Sequence, residues 1–491
     1  MPMSGPSPEL LRRLADLLGP RGFSAERADL EPWLTDWRGR YRGEAAALLS
    51  PATTQEVAAA VSLCAGEKVP LVPQGGNSSM VGGATPDSSG AALLLSLRRM
   101  RSIRELGREA GTAICEAGVI LQDLHEAAAG VGRRFPLTLG AKGSATVGGL
   151  VSTNAGGTQV LRFGTMRNLV QGVEAVLADG SVFNGLSPLK KDNRGYNLTQ
   201  LLIGAEGTLG IVTAASLRLF PAVGQRAVAW IGVASAADAL RLLRHLDAAI
   251  GDAVESFELV PQAALDLVLA HVPDSRAPLR QASAWNVLVE AVAPMAAPSP
   301  EEELYLTLQA AIGIGLVEDA AIAASEAQAA GFWRLRDSIS EAEKRAGPAA
   351  KHDISVAVDL MPDFMVEASA AAEARFPGTR VIAFGHLGDG NVHFNVSAPP
   401  GAPPEWIDRE GTQVTGFVHD LVTAAGGSIS AEHGIGQMKL AELERLGEPA
   451  RLNAMRAIKQ ALDPHGIMNP GKLVPRRGEA QQSLAENASA P

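Results

Sequence analysis

The sequence predicts an α+β protein assembled in successive parts. Three observations carry that reading: strand and helix patterns flowing into two glycine-rich loops before residue 160, two strand-helix-strand repeats beyond Phe220, and a histidine-bearing turn answered by an acid-histidine pair near the C-terminus.

From about Glu44, E-A-A-A-L-L reads as a strand. Thr53-Thr54-Gln55-Glu56 is a capping box opening the helix V-A-A-A-V-S-L-C, and V-P-L-V-P is the next strand. That strand runs into Q-G-G-N-S-S-M-V-G-G, where free backbone N–H groups suit the pyrophosphate of a dinucleotide. The spacing is not GxGxxG, so no Rossmann domain is implied. A second block, L-T-L-G-A-K-G-S-A-T-V-G-G-L-V-S-T-N-A-G-G from Leu137 to Gly157, strengthens the case. Two such loops, followed by V-E-A-V-L-A-D-G-S-V and L-L-I-G-A-E-G-T-L-G-I-V, require a backbone that lies close to something extended; sheet-on-loop packing without a ligand is the alternative.

Beyond Phe220, R-A-V-A-W-I-G-V, A-A-D-A-L-R-L-L-R-H-L and V-E-S-F-E-L-V form one repeat. W-N-V-L-V-E-A-V, E-E-E-L-Y-L-T-L-Q-A-A and G-L-V-E-D-A-A-I form another, which predicts a ferredoxin-like domain. Pro294 to Pro300 reads as a loop within it, and Pro399 to Pro404 leads into an amphipathic helix ending near Ala424.

At 491 residues the chain is long enough for two or more cores, and its net charge of -10 argues against nucleic acid as a partner. Cys64 and Cys115 lack CxxC spacing, which disfavours disulfides, iron–sulfur clusters and thiolate zinc. The N-terminus lacks a signal-peptide pattern and no apolar run approaches a membrane span, so a cytoplasmic location is expected. A homodimer is the assembly to test for.

In H-L-G-D-G-N-V-H-F-N, the turn-prone Gly388-Asp389-Gly390-Asn391 folds His386 back toward His393. If V-H-F-N-V is a strand, His393 and Asn395 share a face. His386, His393 and Glu432 of E-H-G-I-G would ligate a divalent ion, zinc or else manganese or cobalt, leaving His433 for proton work. A hairpin with two surface histidines is the plainer alternative. Arg336 and Ser340, four apart on a helix, are placed to grip one carboxylate, and Lys351, alternating with Asp353 and Ser355 along a strand, would add a charge for an acidic substrate. For Arg336 the alternative is a solvated pair with Asp337 or Glu341.

The chain resembles flavoproteins of the vanillyl-alcohol oxidase and p-cresol methylhydroxylase (PCMH) fold, within it the branch of D-2-hydroxyglutarate and D-lactate dehydrogenases. P-Q-G-G-N, T-L-G-A-K-G-S, T-N-A-G-G, K-D-N-R-G-Y-N-L, G-A-E-G-T-L-G, H-L-G-D-G-N-V-H and A-E-H-G-I-G carry the likeness, from roughly Glu44 to Lys472. It implies a PCMH-type FAD-binding domain over 44–222 after a helical segment at 1–43. A substrate-binding ferredoxin-like domain with the metal site follows at 223–425, then a helical C-terminal cap returning to the flavin at 426–474 and a disordered tail at 475–491.

By the resemblance, Pro73, Gly75, Gly76, Asn77 and Ser78 would hold the FAD pyrophosphate, and Gly140, Ser144, Gly148, Gly149, Asn154 and Gly157 would line the flavin. Glu206, Gly207 and Ile211 would lie near the adenine end, with Asn469 and Lys472 of N-P-G-K closing the site. Neither Gly75–Met80 nor Thr138–Gly157 contains a histidine or cysteine, so the flavin is expected to be non-covalent. Arg336, Ser340 and Lys351 match an Arg, Thr and Lys of the D-2-hydroxyglutarate branch, the serine departing mildly; with Asn395 and His433 they would bind the substrate, His433 serving as catalytic base. A small dicarboxylic 2-hydroxy acid is the expected substrate, and an electron-transfer flavoprotein or a quinone the expected acceptor. D-lactate or D-malate oxidation is the near alternative; a metal-dependent hydrolase and a silent flavin subunit are the distant ones.

Overall fold

The computed structural model describes residues 5–187, 189 and 191–475; all but the first residue of the expected tail at 475–491 lies outside them. The chain divides into two compact units. One comprises residues 1–156, 165–221 and 432–491, the other 157–164 and 222–431. No helix among the described residues is long and apolar enough to cross a membrane.

Among the described residues the first unit holds two larger sheets and a two-stranded one that pairs Arg133–Arg134 with Phe220–Pro221. A four-stranded one runs in the order Phe23–Ser24, Ala47–Leu49, Leu93–Ser96, Leu71–Gln74, with the last three strands parallel. A five-stranded antiparallel one has Ile211–Arg218 at its centre, between Thr112–Glu116 and Val170–Val176. The helix Thr54–Glu67 begins where the capping box predicts: the Thr53 hydroxyl accepts from the Glu56 amide at 3.1 Å. Its reciprocal arm lands one residue earlier than expected, since the Glu56 carboxylate accepts from the Ala52 amide at 2.7 Å. The first 43 residues form no unit of their own, because helix Pro8–Leu18 buries Leu10, Leu14 and Leu18 in the same core as Val57, Val61 and Leu71. The C-terminal stretch belongs here as well: the Leu71 amide donates to the Ile467 carbonyl and the Asn469 amide to the Leu71 carbonyl, each at 2.8 Å.

In the second unit the predicted repeats form one seven-stranded antiparallel sheet. Its first four strands in the chain, Gln225–Val233, Val254–Pro261, Trp285–Ala293 and Asp319–Ile322, take the ferredoxin-like order fourth-first-third-second. Arg380–His386, Asn391–Ser397 and Ala349–Ser355 extend that sheet, an enlargement that the repeats alone do not reveal. Period-two alternation sorts the side chains. Phe257, Leu259, Val289, Ala383, Phe394 and Val396 enter a core with helices Ala236–Ile250, Pro300–Gly313, Met361–Arg375 and Glu410–Ala424. Trp230, Val260, Leu288, Ile382 and Phe384 face the other way, against helices Gln262–His271, Glu326–Asp337 and Ile339–Ala346. The polar residues of interest, interleaved with the first set, fall on this second face.

Candidate functional site

The glycine loops of the first unit form a close-packed cradle. A Cβ at Gly76 would lie 1.8 Å from the Ser144 carbonyl oxygen, and one at Gly75 would lie 2.4 Å from Thr146 Oγ1, so only glycine lets the two loops meet. Asn77 takes a left-handed φ of 51°, and its amide donates to the Thr35 carbonyl at 2.9 Å. Gln74 Oε1, Thr146 Oγ1 and Asn469 Oδ1 are buried without a hydrogen-bond partner. Each such atom costs about 1–3 kcal/mol unless a ligand or water satisfies it, so these loops fit a polar, extended cofactor.

Several residues assigned to that cofactor by sequence do other work. Ile211 is 1% exposed inside the hydrophobic core and presents no surface to a ligand. Asn154, in a left-handed turn, accepts from the Thr165 hydroxyl and the Arg167 amide, both at 2.9 Å, and so braces its own loop. Gly157 belongs to the second unit, where its segment is anchored by Gln159 and Arg162 on Glu255 and by Thr158 on Ser256. Gly140 and Ser144 are exposed, while Gly148 and Gly149 lie in the short helix Val147–Thr153.

Glu206 makes contacts that its motif does not reveal. Its two carboxylate oxygens accept from the Ile435 and Gly436 amides at 2.8 Å each, and its carbonyl accepts from Asn469 Nδ2 at 2.7 Å. It therefore clasps the E-H-G-I-G loop, and burial pushes its carboxyl above the usual range despite those amides. Gly207 beside it has a φ of 72° and packs on Pro73. Lys472 is buried, and desolvation lowers its ammonium to about 8 although Asp87 and Glu206 oppose the shift. Cys64 and Cys115 are free, buried and pushed up to about 12 by desolvation, which makes them inert.

The second unit gathers a polar cluster on one sheet face. The turn after His386 closes as its spacing predicts, with the Gly390 amide donating to the His386 carbonyl at 3.1 Å, and V-H-F-N lies within the strand Asn391–Ser397. Glu258 stands directly across from His386, and its Oε1 accepts from His386 Nδ1 at 2.5 Å. Its Oε2 accepts from Arg336 Nε at 2.8 Å. Burial alone would raise the Glu258 carboxyl, but Arg336 and His386 together hold it at about 2. The His393 ring centroid lies 5.6 Å from that of His386, and Phe384 packs beside both His393 and Arg336.

Farther along the same face, Lys351 pairs across the strands with Asn395, and Asp353 with His393. Lys351 Nζ donates to Glu343 Oε2 at 3.1 Å, and Asn395 Nδ2 reaches the Glu343 oxygens at 2.8 and 3.0 Å. Asn391 Nδ2 donates to Asp353 Oδ1 at 3.0 Å.

The expected Arg336–Ser340 helix face is not formed. One helix ends at Asp337 and the next starts at Ile339, with Ser338 capping the first, and Ser340 is exposed while Arg336 turns inward to Glu258. Sequence reasoning missed Glu258 and Glu343. The signal for Glu258 was present, since an acid inside the largely apolar run V-E-S-F-E-L-V must either face water or meet a buried cation.

Comparisons with known proteins agree with this architecture. Residues 45–185 match the model of an FAD binding domain, and residues 224–473 match that of the C-terminal domain of FAD linked oxidases. The chain is 36% identical over 460 residues to the mitochondrial D-2-hydroxyglutarate dehydrogenase of Arabidopsis thaliana, covering 94% of this chain and 80% of that one. It is 38% identical over 452 residues to the mitochondrial enzyme of the same name from Bos taurus, covering 91% and 80%. Its fold matches a solved structure of p-cresol methylhydroxylase with substrate bound, with a TM-score of 0.71 at 16% identity over 95% of this chain and 96% of that one. The chain is an FAD-linked oxidoreductase and belongs to the FAD-linked oxidase family that includes the D-2-hydroxyglutarate dehydrogenases.

Proposed function

We propose that the protein oxidises D-2-hydroxyglutarate to 2-oxoglutarate, using non-covalent FAD and a divalent ion on His386, His393 and Glu432. One observation carries the reading: a single sheet face presents two imidazoles with Lys351 and Asn395, and Arg336 reaches that face from the helix Glu326–Asp337, a set suited to an acid with a second carboxylate. When bound, FAD supplies the hydride acceptor, and the ion, zinc or else manganese or cobalt, supplies Lewis acidity that lowers the pKa of a substrate hydroxyl. Glu258 supports a ligand role for His386. By accepting from Nδ1 it fixes the tautomer and leaves the Nε2 lone pair for an ion. Arg336 Nη2 lies 3.4 Å from that Nε2, an approach that metal binding must displace. His433 takes the hydroxyl proton, and Arg336, Lys351 and Asn395 orient the acid. Electrons then leave to an electron-transfer flavoprotein or a quinone.

The test is an anaerobic titration of the yellow protein with D-2-hydroxyglutarate, following flavin absorbance. Rapid bleaching is expected, absent with the L-enantiomer and lost after chelation. Bleaching by D-lactate alone would overturn the reading of Lys351, bleaching by D-malate alone would change only which dicarboxylic acid is oxidised, colourless protein would favour a hydrolase, and no bleaching by any acid would favour a silent subunit.

Lys472 makes a second expectation. Its ammonium sits at about 8 without ligand, and an anionic cofactor favours the charged form, so FAD uptake should draw a proton. FAD affinity is then expected to fall as pH rises through about 8, and fluorescence titrations of apoprotein at several pH values should show the slope in wild type but not in Lys472→Met.

A further inference from the structure

We propose that Glu343 is a positioning residue that sets how Lys351 and Asn395 read the substrate. The inference rests on the function proposed above and concerns a carboxylate to which sequence reasoning gave no role. Glu343 has a side chain 0% exposed, on the helix Ile339–Ala346 beside buried Ile339 and Ala342. It is the shared acceptor of both residues: one contact from Lys351 Nζ at 3.1 Å, and two from Asn395 Nδ2 at 2.8 and 3.0 Å.

Two consequences follow from the donor inventory. Asn395 commits its Nδ2 to a carboxylate that can only accept, so the amide is fixed in one flip and offers a ligand its Oδ1. Asn395 thus accepts from a substrate hydroxyl rather than donating to a carboxylate. Lys351, with 24% of its side chain exposed, is tethered on its inner side to Glu343 and, at 3.4 Å, to the Ser340 carbonyl. Its ammonium is held in place with its remaining donor directed elsewhere, and the pair's net charge of zero leaves directional hydrogen bonding to select a second carboxylate. Burial raises the Glu343 carboxyl, and Lys351 and Asn395 act against that rise.

A double-mutant cycle on the FAD-loaded protein tests this, with Glu343→Gln, Lys351→Met and the double variant. Half-saturation and limiting rate of anaerobic flavin reduction are read for D-2-hydroxyglutarate. Glu343→Gln is expected to raise half-saturation about tenfold with the limiting rate within about threefold of wild type. The double variant should be no worse than Lys351→Met alone, because Glu343 acts through its partners. Unchanged half-saturation in Glu343→Gln, or single effects that multiply in the double variant, overturns the proposal. Should Glu343→Gln purify without FAD, Glu343→Asp retracts the charge by one methylene and must move half-saturation in the same direction, no change again overturning it. A wild type reduced only by another D-2-hydroxy acid removes the substrate reading alone; the cycle is then run with that acid, under the same criteria.

Discussion

Replacing His433 with asparagine is expected to slow flavin reduction by D-2-hydroxyglutarate more than about a hundredfold while FAD stays bound. Asparagine keeps hydrogen-bonding capacity and comparable size but cannot take a proton near neutral pH, so the change isolates the base. The loop should survive, since its anchor is Glu206 on the Ile435 and Gly436 amides, reinforced by Asn469 on the Glu206 carbonyl. The cofactor cradle at Gly75 and Gly76 rests on Ser144 and Thr146 instead. Rapid-reaction absorbance and the flavin-to-protein ratio give the two readouts together. Loss of the flavin with the rate would mean that the loop had collapsed, and a near-normal rate would remove His433 from the base role.

What the sequence disclosed and what it hid divide along physical lines. Local rules were legible: the Thr53 cap, the turn that returns His386 toward His393, and the alternation that puts Lys351, Asp353, His393 and Asn395 on one sheet face all depend on neighbouring residues or on period two. Partners distant in the chain were hidden. Nothing local tells Glu258 that it will stand opposite His386, 128 residues on, or tells Glu343 that Lys351 and Asn395 will converge on it. Arg336 and Ser340 failed for a subtler reason, because helical spacing holds only while the helix continues and it is interrupted at Ser338. Glu206 and Ile211 lie in a motif where a glycine-rich run invites assignment to a cofactor, yet one clasps a loop and the other fills a core.

Replacing Glu258 with glutamine should have two separable consequences. Its carboxylate is the common acceptor of His386 Nδ1 and Arg336 Nε, with the side chain 1% exposed. Glutamine can still accept, but it loses the charge that compensates Arg336 and can turn an N–H toward the imidazole, removing the preference for a free Nε2. Metal affinity is expected to fall about 10–100-fold, read as metal content after dialysis, with turnover partly restored by excess zinc. Stability of the metal-free protein should fall by about 3–5 kcal/mol, because a largely buried guanidinium loses its buried carboxylate. The pH dependence tells the two effects apart. Glu258 is held at about 2 against an ordinary 4.5, so its contribution is fully present above pH 4.5 and is lost as pH falls toward 2. The stability gap between wild type and Glu258→Gln should therefore be widest near neutrality and close across that acidic window in denaturant titrations. A gap that persists at the acidic end would show that glutamine disturbs packing rather than charge, and unchanged metal content would show that His386 does not need Glu258 to hold an ion.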